Sequence, residues 1–197
     1  MNSDISIVAL SLQIALVATA VTLPVGMLVA WLLVRKQFRG KFVLDVFVSL
    51  PLALPPVVVG YALLWLVGTN GWIGRLSESV FGSTLAFTWI AAALAAAIVS
   101  LPLVVRSFAA SLAGVDPRLE VAARGLGAGS IRTLLTITLP LAYRGVIAGV
   151  LLGFVRALSE FGATIIVAGN IPGRTQTLPS AIFTRISAGD TGDAWRL

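Results

Sequence analysis

Long apolar blocks separated by short polar stretches set the pattern of this chain. Four blocks approach or exceed the roughly 20 residues a helix needs to cross a bilayer. They cover about 5–34, 42–67, 84–112 and 139–168. The pattern predicts an all-α fold, a polytopic transmembrane helix bundle forming one domain over residues 1–197. In the first block Gln13, Thr19, Thr22 and Pro24 are expected to face protein rather than lipid. The second holds Pro51, Pro55 and Pro56. Each removes a backbone donor, so the block is expected to kink for packing or to form a broken helix beside a transport path. The third has a small-residue core, AAALAAA, that lets a neighbouring backbone approach closely. Residues 68–83 read as an external loop with an interfacial piece around Trp72.

The longest polar-leaning stretch between apolar blocks is EVAARGLGAGSIRTLLTITLP, Glu120 to Pro140. Just before it, Asp116 can cap a helix whose first residue is Pro117. Leu119, Ala122, Ala123 and Leu126 fall at i, i+3, i+4 and i+7, giving one narrow apolar face. Gly127 and Gly129 are expected to stop this helix, Ser130 to cap the next, and Pro140 to kink it. Residues 114–138 therefore read as an elbow: a short amphipathic helix, a glycine turn, and a second helix entering the membrane.

Composition supports the membrane reading. The chain is 58% hydrophobic and 11% charged, with a mean hydropathy of +1.00. A soluble domain carries about twice that charged fraction. The net charge of +6 does not indicate nucleic acid, because the basic residues lack interleaved aromatics. They gather at block ends: Arg35, Lys36, Arg39, Lys41, Arg106, Arg118, Arg124, Arg132 and Arg144. This positive-inside pattern puts the elbow in the cytoplasm and the N-terminus outside. The opening MNSDISIVAL lacks the basic region of a cleaved signal peptide, so the first block reads as a retained span.

The same residues narrow the chemistry. There is no cysteine and no histidine, which removes disulfides and the usual zinc, haem and iron–sulfur ligands. No metal site or bound cofactor is expected. Both lysines lie in one loop, so a serine–lysine nucleophile within the membrane is not available. An aspartyl or metal mechanism lacks its second carboxylate or its histidines. Gly40-Lys41 is followed by Phe42 and does not form a phosphate-binding loop. Arg156 and Glu160 are four apart and can pair on a helix, as a functional site or as an interface salt bridge. Arg106 reads as a positive-inside anchor, and Asn170 to Pro179 as an outer loop with no apolar run after it.

The elbow resembles the cytoplasmic loop of bacterial ABC importer permeases. Their pattern is Glu-Ala-Ala, three residues, Gly, nine residues, Ile, one residue, Leu-Pro. Here Ala122-Ala123 leads by three residues to Gly127, by nine more to Ile137, and then to Leu139-Pro140. The leading glutamate position holds Val121, with Glu120 one residue early. Within that superfamily the chain resembles the molybdate permeases, most tellingly in SLPLALPPVVVGYALL (49–64) and SEFGATIIVAGNIPGRTQTLPSAIF (159–183).

The resemblance implies the type I importer permease bundle with a short cytoplasmic coupling helix, in a bacterial inner membrane with its N-terminus periplasmic. It implies a transport subunit without its own ATPase site. ATP and Mg would sit on a separate ABC ATPase subunit, in two copies. A periplasmic oxyanion-binding protein, a second copy of the permease and the lipid bilayer complete the partners. Coupling to the ATPase is expected at Leu119, Glu120, Ala122, Ala123, Leu126, Gly127, Ile137, Leu139 and Pro140. A translocation path is expected near Pro55, Pro56, Arg156, Glu160 and Thr164. Sulfate, thiosulfate and tungstate stand as alternative substrates to molybdate. An intramembrane enzyme and a purely structural subunit stand as alternative classes. Such permeases carry one more C-terminal span, expected to start after Trp195-Arg196-Leu197.

Overall fold

A computed structural model describes residues 2–189. The elements in order are α1 (Asn2–Arg35), α2 (Lys41–Ala53), α3 (Pro56–Val67), α4 (Trp72–Phe81), α5 (Trp89–Ala113), α6 (Pro117–Gly125) and α7 (Ser130–Thr133). A π-helical turn (Leu134–Thr138) then leads into α8 (Leu139–Leu158), followed by α9 (Gly162–Ala168) and α10 (Leu178–Ser187).

The centre of the bundle is α5, which packs chiefly against α1 and α8. Its most apolar stretch is 61% buried, against 33% for α1 and 17% for the span Ser130–Leu158. Small residues explain that position. Ala91, Ala92, Ala95 and Ala96 are buried in its first half, and glycines meet its second half. Gly145, Gly149 and Gly153 recur every four residues along one face of α8. An added Cβ would lie 2.7 Å from Phe108 at Gly149 and 2.5 Å from Val104 at Gly153. From α1, a Cβ on Gly26 would lie 2.8 Å from the other methyl of Val104. Lipid is as apolar as these side chains, so close backbone approach and dispersion hold such helices together rather than exclusion of water. Ser107 Oγ adds a hydrogen bond to the Gly145 carbonyl at 3.2 Å.

Where the helices start and stop departs in places from the apolar blocks. The second block is two helices, α2 and α3, bent by 112°. Pro51 is accommodated inside α2, and the chain breaks at Leu54 and Pro55. The third block turns helical only at Trp89, where the Thr88 hydroxyl accepts from the Ala91 N–H. Phe87, just before it, lies in the left-handed region at φ +59°, and its N–H bonds the Val167 carbonyl at 3.0 Å.

The fourth block differs at both ends. Its helix begins at Ser130 and continues to Leu158 as one 29-residue span. The π-turn precedes Pro140, which has no N–H to offer the preceding turn. The span then ends at Leu158 instead of about 168, and α9 starts only at Gly162. At this second break Gly162 passes Pro56, whose Cβ would be 3.0 Å from an added Cβ. Gly60 lies against the backbone of Ala163, 2.6 Å from its carbonyl oxygen by the same measure. The two breaks are therefore neighbours.

Two outer elements complete the fold. α4 leaves Trp72, Leu76 and Val80 exposed at i, i+4 and i+8, the stripe of a surface helix. α10 is unanticipated by the apolar pattern; it opens with a reciprocal capping box between Thr177 and Ser180. The position after Trp195-Arg196-Leu197, where a further span was expected, lies outside the described residues.

The glycine packing gives a test. Gly149→Leu should destabilise the bundle by about 1–3 kcal/mol, the usual cost of overpacking, read as a lower melting temperature in detergent. Gly125→Ala, where an added Cβ meets nothing within 4 Å, should leave it unchanged.

Candidate functional site

At the basic end of the bundle the chain turns from α5 through α6 into α7. Asp116 Oδ1 accepts the Arg118 N–H at 2.9 Å and Pro117 opens α6. The helix closes at Leu126, and Gly127 takes φ +88°. Gly129, in extended backbone, and not Ser130, occupies the cap of α7, and Ser130 becomes the first helical residue.

The buried residue of α6 is Glu120. Its Oε1 accepts from Arg35 Nε at 2.9 Å and from the Thr138 hydroxyl at 2.8 Å. Arg35 is the last residue of α1, and its Nη2 also donates to the carbonyls of Leu112 at 2.8 Å and Val115 at 3.0 Å. Carbonyls at a helix C-terminus have no partner within the helix, so this one guanidinium both ends α5 and holds α6. Beside it Trp31, Lys36, Ser130 and Thr133 line a polar cavity of about 250 Å³, with Lys36 Nζ 5.0 Å from the Trp31 ring centroid.

The other side of α6 is open. Leu126 is 90% exposed, and Leu119, Val121 and Ala122 are also exposed. Ala123 is half-buried, and Gly127 sits at the exposed turn. Ile137 and Leu139 are half-buried on the π-turn and α8, with Pro140 exposed beside them. The face expected from spacing is thus an open face of Leu119, Ala122 and Leu126. Glu120 points the other way, into the chain.

The second cluster lies at the paired breaks. Glu160 is 2% exposed. Its Oε2 pairs with Arg156 Nη1 at 2.8 Å, and its Oε1 accepts the Ala163 N–H at 2.8 Å, capping the first turn of α9. Thr164 Oγ1 shares its one proton between the carbonyls of Glu160 and Phe161, at 3.2 and 3.0 Å. Arg156, Glu160 and Thr164 form one connected group, with Pro56 reaching it through Gly162. Pro55 is exposed at the corner and its carbonyl starts α3 by accepting from Val58 at 2.9 Å. A carboxylate with a cation and a backbone donor on its two oxygens is a satisfied group, and it fixes how α9 leaves the span.

Arg106 is more than an end anchor. Nη1 pairs with Asp45 at 2.8 Å and Nη2 donates to Ser49 at 2.6 Å, clamping α2 onto α5. Sequence reasoning passed over Arg35 as a partner of Glu120, and over Thr138 and Asp45. Arg35 and Glu120 are 85 residues apart, and no local spacing announces such a pair. The one available signal was that Arg35, alone among the loop cations, falls in the last turn of a span.

Residues 22–192 match the family described as binding-protein-dependent transport system inner membrane component. The chain belongs to that family. This inner-membrane component is 52% identical over 189 residues to the molybdenum transport system permease protein ModB of Escherichia coli (strain K12), covering 95% of this chain and 82% of that protein. It is 49% identical to ModB of Haemophilus influenzae, over 93% of this chain and 80% of the relative. A probable sulfate transport system permease protein of Chlorokybus atmophyticus is more distant, at 41% over 94% and 65% of the two chains. Among solved structures, an amino acid ABC transporter shares the fold with a TM-score of 0.65 at 18% identity, covering 98% of this chain and 83% of that one.

The joint at Arg35 is testable by a double-mutant cycle. Arg35→Ala and Glu120→Ala should each cost about 3–5 kcal/mol, because each strands a partly buried charge. The double variant should fall well short of their sum. Equilibrium unfolding in mixed micelles measures it; simple additivity would show that the two residues act separately.

Proposed function

We propose that this inner-membrane component is the permease of an ATP-driven importer that translocates molybdate handed over by a periplasmic binding protein. The basic end lies in the cytoplasm and the N-terminus in the periplasm, following the charge asymmetry. The observation that carries the reading is the state of α6: fastened to the ends of α1, α5 and the π-turn through Glu120 on one side, open through Leu119, Ala122 and Leu126 on the other. A short helix held that way is a lever with a free surface.

In this reading the open face seats in a groove on an ABC ATPase, which binds ATP and Mg; the permease itself holds no cofactor. Two ATPase copies close on ATP and push two such helices together. The Arg35–Glu120–Thr138 joint passes that displacement to the spans, and two permease copies rock between inward- and outward-facing states. Molybdate as the substrate is supported by the two molybdenum permease relatives at 52% and 49% identity, the sulfate relative standing further away.

The adjacent breaks at Pro55–Pro56 and Ser159–Phe161 are where the path is proposed, since discontinuous helices in transporters face the transported ion. There Arg156 offsets the Glu160 charge that would otherwise repel an oxyanion, and Thr164, its proton held by backbone carbonyls, fixes the turn beside it.

Two measurements check this. In vesicles carrying the permease, its ATPase and the binding protein, labelled molybdate should enter in preference to sulfate; a preference for sulfate would reassign the substrate. Leu119→Asp and Leu126→Asp should each weaken ATPase association by at least about tenfold, as expected for truncating a central interface contact, with membrane insertion intact. Undiminished ATP-dependent uptake in the double variant would contradict the docking of α6.

A further inference from the structure

A separate cavity of about 540 Å³ opens at the basic end, between the close of α1, the start of α2 and α5. Arg39, Lys41 and Arg106 line it together, with Phe38 and Phe42 on its walls. Asp45 is the one acid of its lining, and it is already engaged by Arg106 at 2.8 Å. Arg39 and Lys41 therefore bring two positive charges to this space without a carboxylate partner among the described residues. The first turn of α2 has no side-chain cap; the Lys41 N–H bonds the Phe38 carbonyl at 3.1 Å, and the N–H groups after it add to the positive potential.

The cavity also has an apolar continuation. Phe42, Val46, Phe47 and Leu50 are all exposed. They follow i, i+4, i+5 and i+8 up one side of α2, beginning at the cavity wall. Cations at the foot of an open apolar stripe match a molecule with an anionic head and hydrocarbon tails. A soluble anion would use the cations and make no contact with the stripe. Basic pockets between spans on the cytoplasmic side are suited to anionic headgroups. We infer that this cavity seats the phosphate headgroup of an anionic phospholipid from the inner leaflet, its acyl chains lying along α2. The site does not depend on which solute the protein carries. It bears on the α1–α2 turn four residues beyond Arg35, so an occupied site braces the same end of α1 that holds the elbow.

The test uses the purified full chain in detergent, offered equal amounts of phosphatidylglycerol and phosphatidylcholine, with bound lipid read by native mass spectrometry. Wild type should retain phosphatidylglycerol over phosphatidylcholine. The pair Arg39→Gln and Lys41→Gln should reduce that retention on the order of tenfold, from the usual contribution of a cation near an anionic lipid surface. Arg39→Lys with Lys41→Arg keeps the charge and should retain it. Excess inorganic phosphate should not displace the lipid. Equal retention of the two lipids by wild type would overturn the inference, as would unchanged binding in the neutral pair or loss in the charge-preserving pair. Displacement by inorganic phosphate would overturn it in favour of a soluble anion. The wild-type comparison and the phosphate competition decide the matter even if the neutral pair does not fold.

Discussion

Arg35 donates to three oxygens drawn from two parts of the chain: the Glu120 carboxylate and the carbonyls of Leu112 and Val115. The geometry of the basic end depends on this. A guanidinium can do it because its donors are fixed in one plane and point in several directions; an ammonium on the neighbouring Lys36 has no such fork. With its charge matched by Glu120 through Nε and its Nη2 bonded to two carbonyls at the end of α5, Arg35 can sit mostly out of water. Thr138 completes the arrangement by donating to the same carboxylate oxygen, which brings the elbow's return helix to the same point. α6 consequently has one orientation relative to α1 and α5, and its outer face is presented by default.

The bundle behind the joint is closely packed. Gly145, Gly149 and Gly153 let α8 approach Ser111, Phe108 and Val104 of α5, while Gly26 admits Val104 from the α1 side. Tight interdigitation of this kind resists shear between the three helices. The second group is α3 with α9, joined through Gly60 and Ala163 and bounded by the two chain breaks. It packs on α5 through α9, and its helix ends are fixed by the Glu160 cap rather than by continuous helix. In the proposed coupling, displacement at α6 would meet the tight group first, with the broken helices farther along the same chain of contacts.

Legibility in the sequence followed the range of the physics. The apolar blocks become long helices because burial in lipid is a property of each segment alone. Asp116 and Pro117 start α6 as read, since a cap acts over two or three residues. The proline run breaks its block, because missing donors cannot be repaired by neighbours in sequence. Glu120 was placed on the coupling surface by its neighbourhood, yet its partners are 85 and 18 residues away and draw it inside. The break at Ser159–Phe161 lies against Pro56 and Gly60, which no window around residue 160 contains. The four-residue glycine repeat on α8 is visible in the sequence, but its meaning needs Val104 and Phe108 opposite it. α10 was missed because its signal is the capping pair Thr177 and Ser180, not an apolar run.

If Glu120 joins α6 rigidly to α1, the distance between the two helices is fixed. The chain contains no cysteine, so spin labels introduced at Gly125→Cys on α6, where an added Cβ meets nothing within 4 Å, and at Leu28→Cys on α1 are the only ones on this chain. Pulsed electron paramagnetic resonance on the assembled complex, with labelled permease diluted in an excess of unlabelled permease so that each pair lies within one chain, should give one narrow distance between them. ATP trapping should leave that distance unchanged, and Glu120→Gln should broaden it. A distance that shifts on ATP binding in the otherwise unaltered chain, or one that stays equally narrow in Glu120→Gln, would contradict the account.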